Sequence, residues 1–318
     1  MAGLETPKPR LILILGPTGV GKTSLALELA GRFHGQIVGA DSMQVYRYMD
    51  IGTAKPTALE RQRIPHHLID VVDPDEPFDA SRYIALAKAV IGRLHGSGKP
   101  VFVVGGTGLY VRALLGGLID SPGADEALRR ELKREMNQLG KGSLYERLKA
   151  RDPRAAERIN PHDGIRIIRA LEVLEKTGRS IVEHQEEHRF QEAPYEALKI
   201  GLKLDRQQLN DRIDGRTERM IEEGFPGEVR NLLKMGYGES LKPMQSLGYR
   251  HLVSCLAGRQ PLAQAVEAIK SDTRRYSKRQ MTWFAADREI RWLGPGDVET
   301  ASRWISEFLE RSQDGEFA

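Results

Sequence analysis

The 318 residues contain a single cysteine, Cys255, so neither an intrachain disulfide nor a cysteine-built zinc site can form, which fits a reducing cytoplasm. Long apolar runs are equally scarce. After the Pro7 and Pro9 segment of Met1 to Arg10, the first such run is only Leu11 to Leu15, too short for a signal-peptide core or a membrane span. Aromatic residues make up 6% of the chain, and no low-complexity tract or internal repeat is evident. Charge of one sign is not in excess either: 48 Lys and Arg stand against 44 Asp and Glu, a net of +4. That balance permits a polyanionic partner without demanding one, so the placement of the basic residues must decide.

What is present is a chain 40% hydrophobic, long enough for a substantial core and for roughly two structural units. In its first third, apolar runs bounded by Gly and Pro alternate with helical patterns: strands at Leu11 to Leu15, Gln36 to Ala40 and Val101 to Gly105, helices at Lys22 to Phe33 and Asp79 to His95. This alternation predicts an α/β fold, a parallel sheet flanked by helices. From Pro122-Gly123 to His188 the sequence is highly charged, helix-periodic and without strand signals, which predicts a helical insertion hung on the sheet. Ile200 to Leu204 reads as a return to the sheet, followed by helices through Asp287 and a last strand at Ile290 to Leu293. The expected domains are 1–120 for the first part of the core, 121–195 for the insertion, and 196–318 for the return with its C-terminal helices.

The strongest motif is Gly16-Pro17-Thr18-Gly19-Val20-Gly21-Lys22-Thr23, a complete G-x-x-x-x-G-K-T phosphate loop directly after the first strand. A strand feeding a glycine turn and then a helix aims backbone N–H groups and the positive helix end at one anion. Lys22 would contact phosphate oxygens, and the Thr23 hydroxyl would ligate a Mg²⁺ shared with them. Asp41 follows the second strand, which in a parallel sheet ends beside this loop, so it can hold Mg²⁺ indirectly or act as a general base; an Asx-turn or helix cap is the structural alternative. The run from Asp41 to Pro56 carries little secondary-structure signal, and a long loop at that edge of a sheet is usually functional. Gly105-Gly106-Thr107-Gly108 ends the third strand, and Thr107 either faces the same site or caps the next helix. Arg212 and Arg216, four apart on one helix face, could clamp a diphosphate opposite Lys22 or belong to a solvated helix with Asp211, Asp214 and Glu218.

Several basic strips suit nucleic acid. Arg274-Arg275-Tyr276-Ser277-Lys278-Arg279-Gln280-Met281 interleaves basic and aromatic residues on a helical pattern, within a stretch from Pro261 to Arg288 that has six Lys or Arg against three acids. Arg166 and Arg169 share a helix face in the insertion, Arg129 lies near its start, and Gln245 to Arg250 forms a polar, glycine-containing turn. Each strip alone also fits an ordinary surface helix or turn. His66 and His67 have no metal-like spacing around them and read as structural.

Taken together, Gly16 to Thr23, Asp41 to Pro56, Asp73-Pro74 leading to Phe78-Asp79-Ala80-Ser81, Gly105 to Tyr110, Arg212 to Arg216 and Lys278-Arg279-Gln280 resemble the bacterial tRNA dimethylallyltransferases, over about Leu11 to Leu293. The resemblance implies a P-loop NTPase-like fold and transfer of a dimethylallyl group from dimethylallyl diphosphate to N6 of the adenosine 3′ to the anticodon, position 37, in tRNAs that read codons beginning with U. It implies Mg²⁺, a cytoplasmic monomer, and the anticodon stem-loop as partner. Asp41 matches the general base, Thr107 a substrate-contacting residue, and Arg216 a diphosphate ligand. tRNA contacts are implied at Asp41, Ser42, Met43 and Gln44, at Thr107 and Arg129, at Ile165, Arg166, Ile167, Ile168 and Arg169, at Gln245, Ser246, Leu247, Gly248, Tyr249 and Arg250, and from Arg274 to Met281. The zinc finger of eukaryotic relatives cannot exist with one cysteine.

Two rivals use the same loop. An ATP-dependent small-molecule kinase would add a lid and a second magnesium carboxylate, but no run of four apolar residues ending in Asp is evident. An RNA-binding NTPase switch would hydrolyse nucleotide without group transfer.

Overall fold

The computed structural model describes residues 8–118, 123–188 and 192–310. The expected boundary between residues 120 and 121, and the N-terminal reading at residues 1–7, lie outside that range. Six strands appear in chain order: β1 Arg10–Leu15, β2 Gln36–Gly39, β3 His66–His67, β4 Val101–Gly105, β5 Glu196–Leu202 and β6 Arg291–Leu293. Between and after them run α1 Lys22–Arg32, α2 Ala58–Arg63, α3 Ala80–Gly96, α4 Gly108–Gly116, α5 Glu126–Leu139, α6 Lys141–Arg151, α7 Pro153–Arg158, α8 Gly164–Thr177, α9 Ile181–His188, α10 Arg206–Glu222, α11 Phe225–Lys234, α12 Tyr249–Leu256, α13 Leu262–Ala285 and α14 Val298–Glu310. The chain divides into two compact units, one made of residues up to Leu115 and from Pro194 onward, the other of Gly116–Ala193.

In the first unit the strands form one parallel sheet in the order β3-β2-β4-β1-β5-β6, the α/β class expected from the apolar strand pattern. β1 is buried along Leu11 to Leu15. Period-2 alternation sends Ile12 and Ile14 into a core with Leu25 and Leu29 of α1 and Ile305 of α14, while Leu11, Leu13 and Leu15 are buried on the opposite face. Because β4 and β5 flank β1 on opposite sides, the end of β1 is the topological switch point, where α/β sheets place ligands.

Departures from the sequence reading are local. β5 begins at Glu196, paired with Arg10, and ends at Leu202; its first residues are exposed or half-buried, so apolarity marked only the inner half. β3, with two residues, is too short to carry a period. His67 Nε2 meets Gln36 Oε1 at 2.7 Å and His66 Nδ1 meets the Ile64 carbonyl at 2.7 Å, so both imidazoles bind the protein's own loop and neighbouring strand. α2 is announced by a capping box, Thr57 with Glu60.

The second unit is built of helices α5 to α9 around Leu132, Leu144, Leu148, Ala155, Ile167, Ile168 and Leu171. Asp125, Asp152 and Asp163 cap α5, α7 and α8 through their side chains. Fully buried among the apolar residues of α8 is Glu172. It accepts from the Asp125 amide at 2.6 Å, from Arg129 Nε at 2.9 Å and from Arg169 Nη1 at 2.6 Å. Burial would raise its pKa, but these donors more than offset that and hold the carboxyl below its ordinary value.

Candidate active site and nucleic-acid interface

The parallel register sets the site. Leu15 pairs with Gly105, and Gly39 with Val104, so β1, β2 and β4 end level and their following loops converge. Gly16 has φ 142°, and a Cβ there would lie 2.7 Å from the Leu202 carbonyl oxygen, so only glycine lets the loop leave β1 beside β5. Gln280 of α13 is buried and braces two loops at once: its Oε1 accepts from Thr18 N at 2.8 Å and its Nε2 donates to the Gly106 carbonyl at 2.8 Å.

Three cations meet at the phosphate loop. Lys22 Nζ folds back onto the carbonyls of Gly16 at 2.9 Å and Pro17 at 2.8 Å, the conformation of a cradle whose lysine binds the loop itself. Burial pulls the Lys22 pKa down to about 8, with Asp41 opposing and Arg216 adding to the effect. Arg216 Nη2 donates to Thr18 Oγ1 at 2.8 Å, and Arg212 Nη1 donates to the Val20 carbonyl at 3.3 Å. α10 thus presents both arginines to the loop. Its Asp214 turns instead to Arg274 of α13, which donates to both carboxylate oxygens at 2.6 Å. Burial lowers the Arg216 pKa, and Asp41 opposes that shift.

Asp41 is held by an Asx-turn, its Oδ1 accepting from Met43 N at 2.8 Å and Gln44 N at 3.3 Å. Thr107 Oγ1 accepts from Ser42 N at 3.1 Å and its own N–H donates to the Ala40 carbonyl at 3.2 Å, so Thr107 fixes the turn that carries Asp41. Asp41 lies within electrostatic reach of Lys22, Arg216, Tyr110 and Tyr276. A carboxylate thus stands next to a cationic phosphate cradle.

Among the described residues no group of three His, Cys, Asp or Glu is placed to hold a metal ion. Thr23, half-buried in the first turn of α1, supplies one hydroxyl; a single protein oxygen fits Mg²⁺ whose remaining ligands are phosphate oxygens and water.

The runs of expected tRNA contacts divide by burial, because a helix offers only every third or fourth residue to one surface. On α13, Arg275, Lys278 and Arg279 are exposed and form one stripe, whereas Ser277 and Gln280 are buried. Arg274, Tyr276 and Met281 are half-buried. Ser277 and Gln280 thus face the interior, where Gln280 braces the two loops. In the 245–250 turn, Gln245 and Arg250 are exposed, Ser246 and Leu247 half-buried, and Gly248 and Tyr249 buried. Tyr249 is turned inward, onto Phe225 at a centroid distance of 4.9 Å. In the helical unit, Ile165 and Arg166 are exposed, Ile167 and Ile168 belong to the core, and half-buried Arg129 and Arg169 are engaged by Glu172. Glu172 went unread in the sequence, although a lone carboxylate between apolar Leu171 and Val173 is a visible signal.

Fold and site together define a phosphate-loop α/β protein with a carboxylate beside a cationic loop, an arrangement suited to group transfer from a diphosphate or triphosphate. The IPP transferase family matches residues 44–287, and the isopentenyl transferase family residues 9–76. The chain belongs to the IPP transferase family. It is 58% identical over 302 residues to tRNA dimethylallyltransferase 2 of Syntrophus aciditrophicus (strain SB), covering 95% of this chain and 97% of that protein. Among solved structures it resembles the full-length tRNA isopentenylpyrophosphate transferase of Bacillus halodurans, with TM-score 0.73 and 38% identity over 98% of this chain and all of that one. It also resembles a eukaryotic dimethylallyltransferase solved acting on tRNA, with TM-score 0.74 and 29% identity over 91% of this chain and 75% of that one.

Proposed function

We propose that the protein is a tRNA dimethylallyltransferase, moving the dimethylallyl group of dimethylallyl diphosphate to the exocyclic N6 of the adenosine 3′ to the anticodon in tRNAs that read codons beginning with U. The observation that carries the reading is the carboxylate of Asp41 beside a cradle made by the loop amides, Lys22 and Arg216. In the reaction the C1–O bond of the donor breaks and a C1–N6 bond forms. The electron pair of the broken bond leaves with the diphosphate, and its growing charge would be met by the loop N–H groups and by Lys22 and Arg216 turning from their contacts within the loop. N6 is a feeble nucleophile because its lone pair is delocalised, and Asp41 takes the proton it must lose. Mg²⁺ at Thr23 would neutralise diphosphate charge. Thr107 orients Asp41 through Ser42.

The target base must be turned out of its stack to reach the sheet's edge, and the exposed stripe of Arg275, Lys278 and Arg279 on α13 supplies charge for the RNA backbone. We place the reaction in the cytoplasm, with a monomer as the working unit, since one chain carries the phosphate loop, the base and the basic stripe. No described helix is long and apolar enough to cross a membrane. The test is incubation with Mg²⁺ and unmodified tRNA, with either dimethylallyl diphosphate or ATP, followed by nucleoside mass analysis. Prenylated adenosine is expected with the first donor alone; its absence would sink the reading.

A further inference from the structure

The loop from Asp41 to Pro56 has almost no regular structure, and three of its consecutive backbone amides converge on one side chain. Glu228, in the first turn of α11, accepts from Asp50 N at 2.8 Å and Ile51 N at 2.7 Å through Oε2, and from Gly52 N at 3.2 Å through Oε1. Tyr249 Oη donates to Oε1 at 2.6 Å. Among the described residues no Lys, Arg or His pairs with Glu228, whose carboxylate is met by N–H and O–H dipoles instead. The same loop segment is fitted by shape, since a Cβ on Gly52 would run into the rings of Phe225 and Tyr249. From this anchor a continuous path leads to Asp41. Thr53 and Ala54, next in sequence, offer their carbonyls to Gln44 Nε2 at 3.1 Å each, and Gln44 N is one of the two amides that hold Asp41 Oδ1.

We infer that Glu228, with Tyr249, is a positioning residue for the transfer reaction: it latches residues 50–52 to α11 and α12 and thereby sets, through Gln44, where the Asp41 carboxylate stands. The inference rests on the reading of Asp41 as the base. It gives the buried Tyr249 a task that a surface contact could not, and it separates the machinery that aims the base from the machinery that binds the donor. None of the phosphate-loop contacts of Lys22, Arg212, Arg216 or Gln280 passes through Glu228.

The experiment compares full-length wild type with Glu228→Ala, Glu228→Gln and Gly52→Ala in the prenyl-transfer assay, together with hydrogen exchange across residues 45–56. A shift of the base by about 1 Å costs on the order of 10²-fold in rate, so Glu228→Ala is expected to lower kcat about that much. Its KM for dimethylallyl diphosphate should stay within about threefold, and the amides of residues 50–52 should lose protection. Glu228→Gln keeps the volume and one acceptor oxygen and should fall between; it decides the matter if the alanine variant does not fold. Gly52→Ala leaves the carboxylate intact yet lifts the loop, and should reproduce the kcat loss. Unchanged kcat in folded Glu228→Gln, or a loss of donor binding in step with kcat, would overturn the inference. Wild type that transfers no prenyl group would instead refute the functional reading on which it rests.

Discussion

Raising the pH should weaken donor capture through Lys22 before it affects anything else in the phosphate loop. Burial, only partly opposed by Asp41, leaves the free protein's Lys22 with a pKa of about 8, far below the 10.5 of an ordinary lysine. The charged form binds an anion, so capture is strong below that pKa and lost as the pH rises through it. A group of pKa 8 is about nine-tenths protonated at pH 7 and about one-tenth at pH 9, so kcat/KM for dimethylallyl diphosphate should fall about tenfold between them, since kcat/KM reports the free enzyme. Once the diphosphate is bound, its negative charge raises the Lys22 pKa, and kcat should therefore stay level over the same interval. Steady-state rates at fixed, saturating tRNA across pH 6.5 to 9.5 measure both. Lys22→Arg, which holds its charge throughout, should lose the inflection even if its rates are lower. A kcat/KM that stays flat to pH 9.5 in the wild type, or an arginine variant that keeps the inflection, would refute the reasoning.

Asp41→Asn should lower single-turnover transfer by about 10²-fold or more while leaving tRNA affinity close to wild type, as read by filter binding; weak tRNA binding with normal turnover would make Asp41 a loop cap only. Arg279→Ala should weaken tRNA binding and reduce the slope of log K against log salt by about one, and an unchanged slope would remove Arg279 from the interface. Glu172→Ala should destabilise the helical unit by about 3 kcal/mol in urea unfolding, the lower end for a buried pair, because Arg129 and Arg169 are 30% and 28% exposed and can rehydrate. The folded Glu172 pKa lies below its ordinary 4.5, so its stabilisation is complete above that value and is lost as the pH falls through the lower folded one. Glu172→Gln should therefore flatten the acid limb of the unfolding profile, and a parallel limb would assign it to other carboxylates.

The sequence made legible whatever is local or periodic. The G-x-x-x-x-G-K-T loop, the buried strands before it and the switch to a helical insertion could all be read from spacing. At Asp41 two readings were weighed, an Asx-turn or a site residue; the turn is there, and it leaves the carboxylate beside the phosphate loop, where the proposed role needs it. Arg212 and Arg216 could not be decided from spacing, because the answer depended on Asp214 pairing with Arg274, sixty positions away. Gln280 was legible as part of a basic helix but not as a brace, since its partners Thr18 and Gly106 lie 262 and 174 residues from it. The runs at Ile165 to Arg169 and Gln245 to Arg250 mix exposed with buried members, because a run ignores helical periodicity and burial. Glu228 left no local trace, as the groups it holds are backbone amides.

The central claim is that the phosphate loop holds a leaving group rather than a group to be transferred. A single turnover with dimethylallyl diphosphate carrying ¹⁴C in its prenyl carbons and ³²P in its β-phosphate reads both fates at once. The carbon label should move to tRNA while all the phosphorus label appears as free diphosphate, in equal amounts and with the same rate constant. Phosphorus label on the tRNA, or diphosphate released without carbon transfer, would contradict the account.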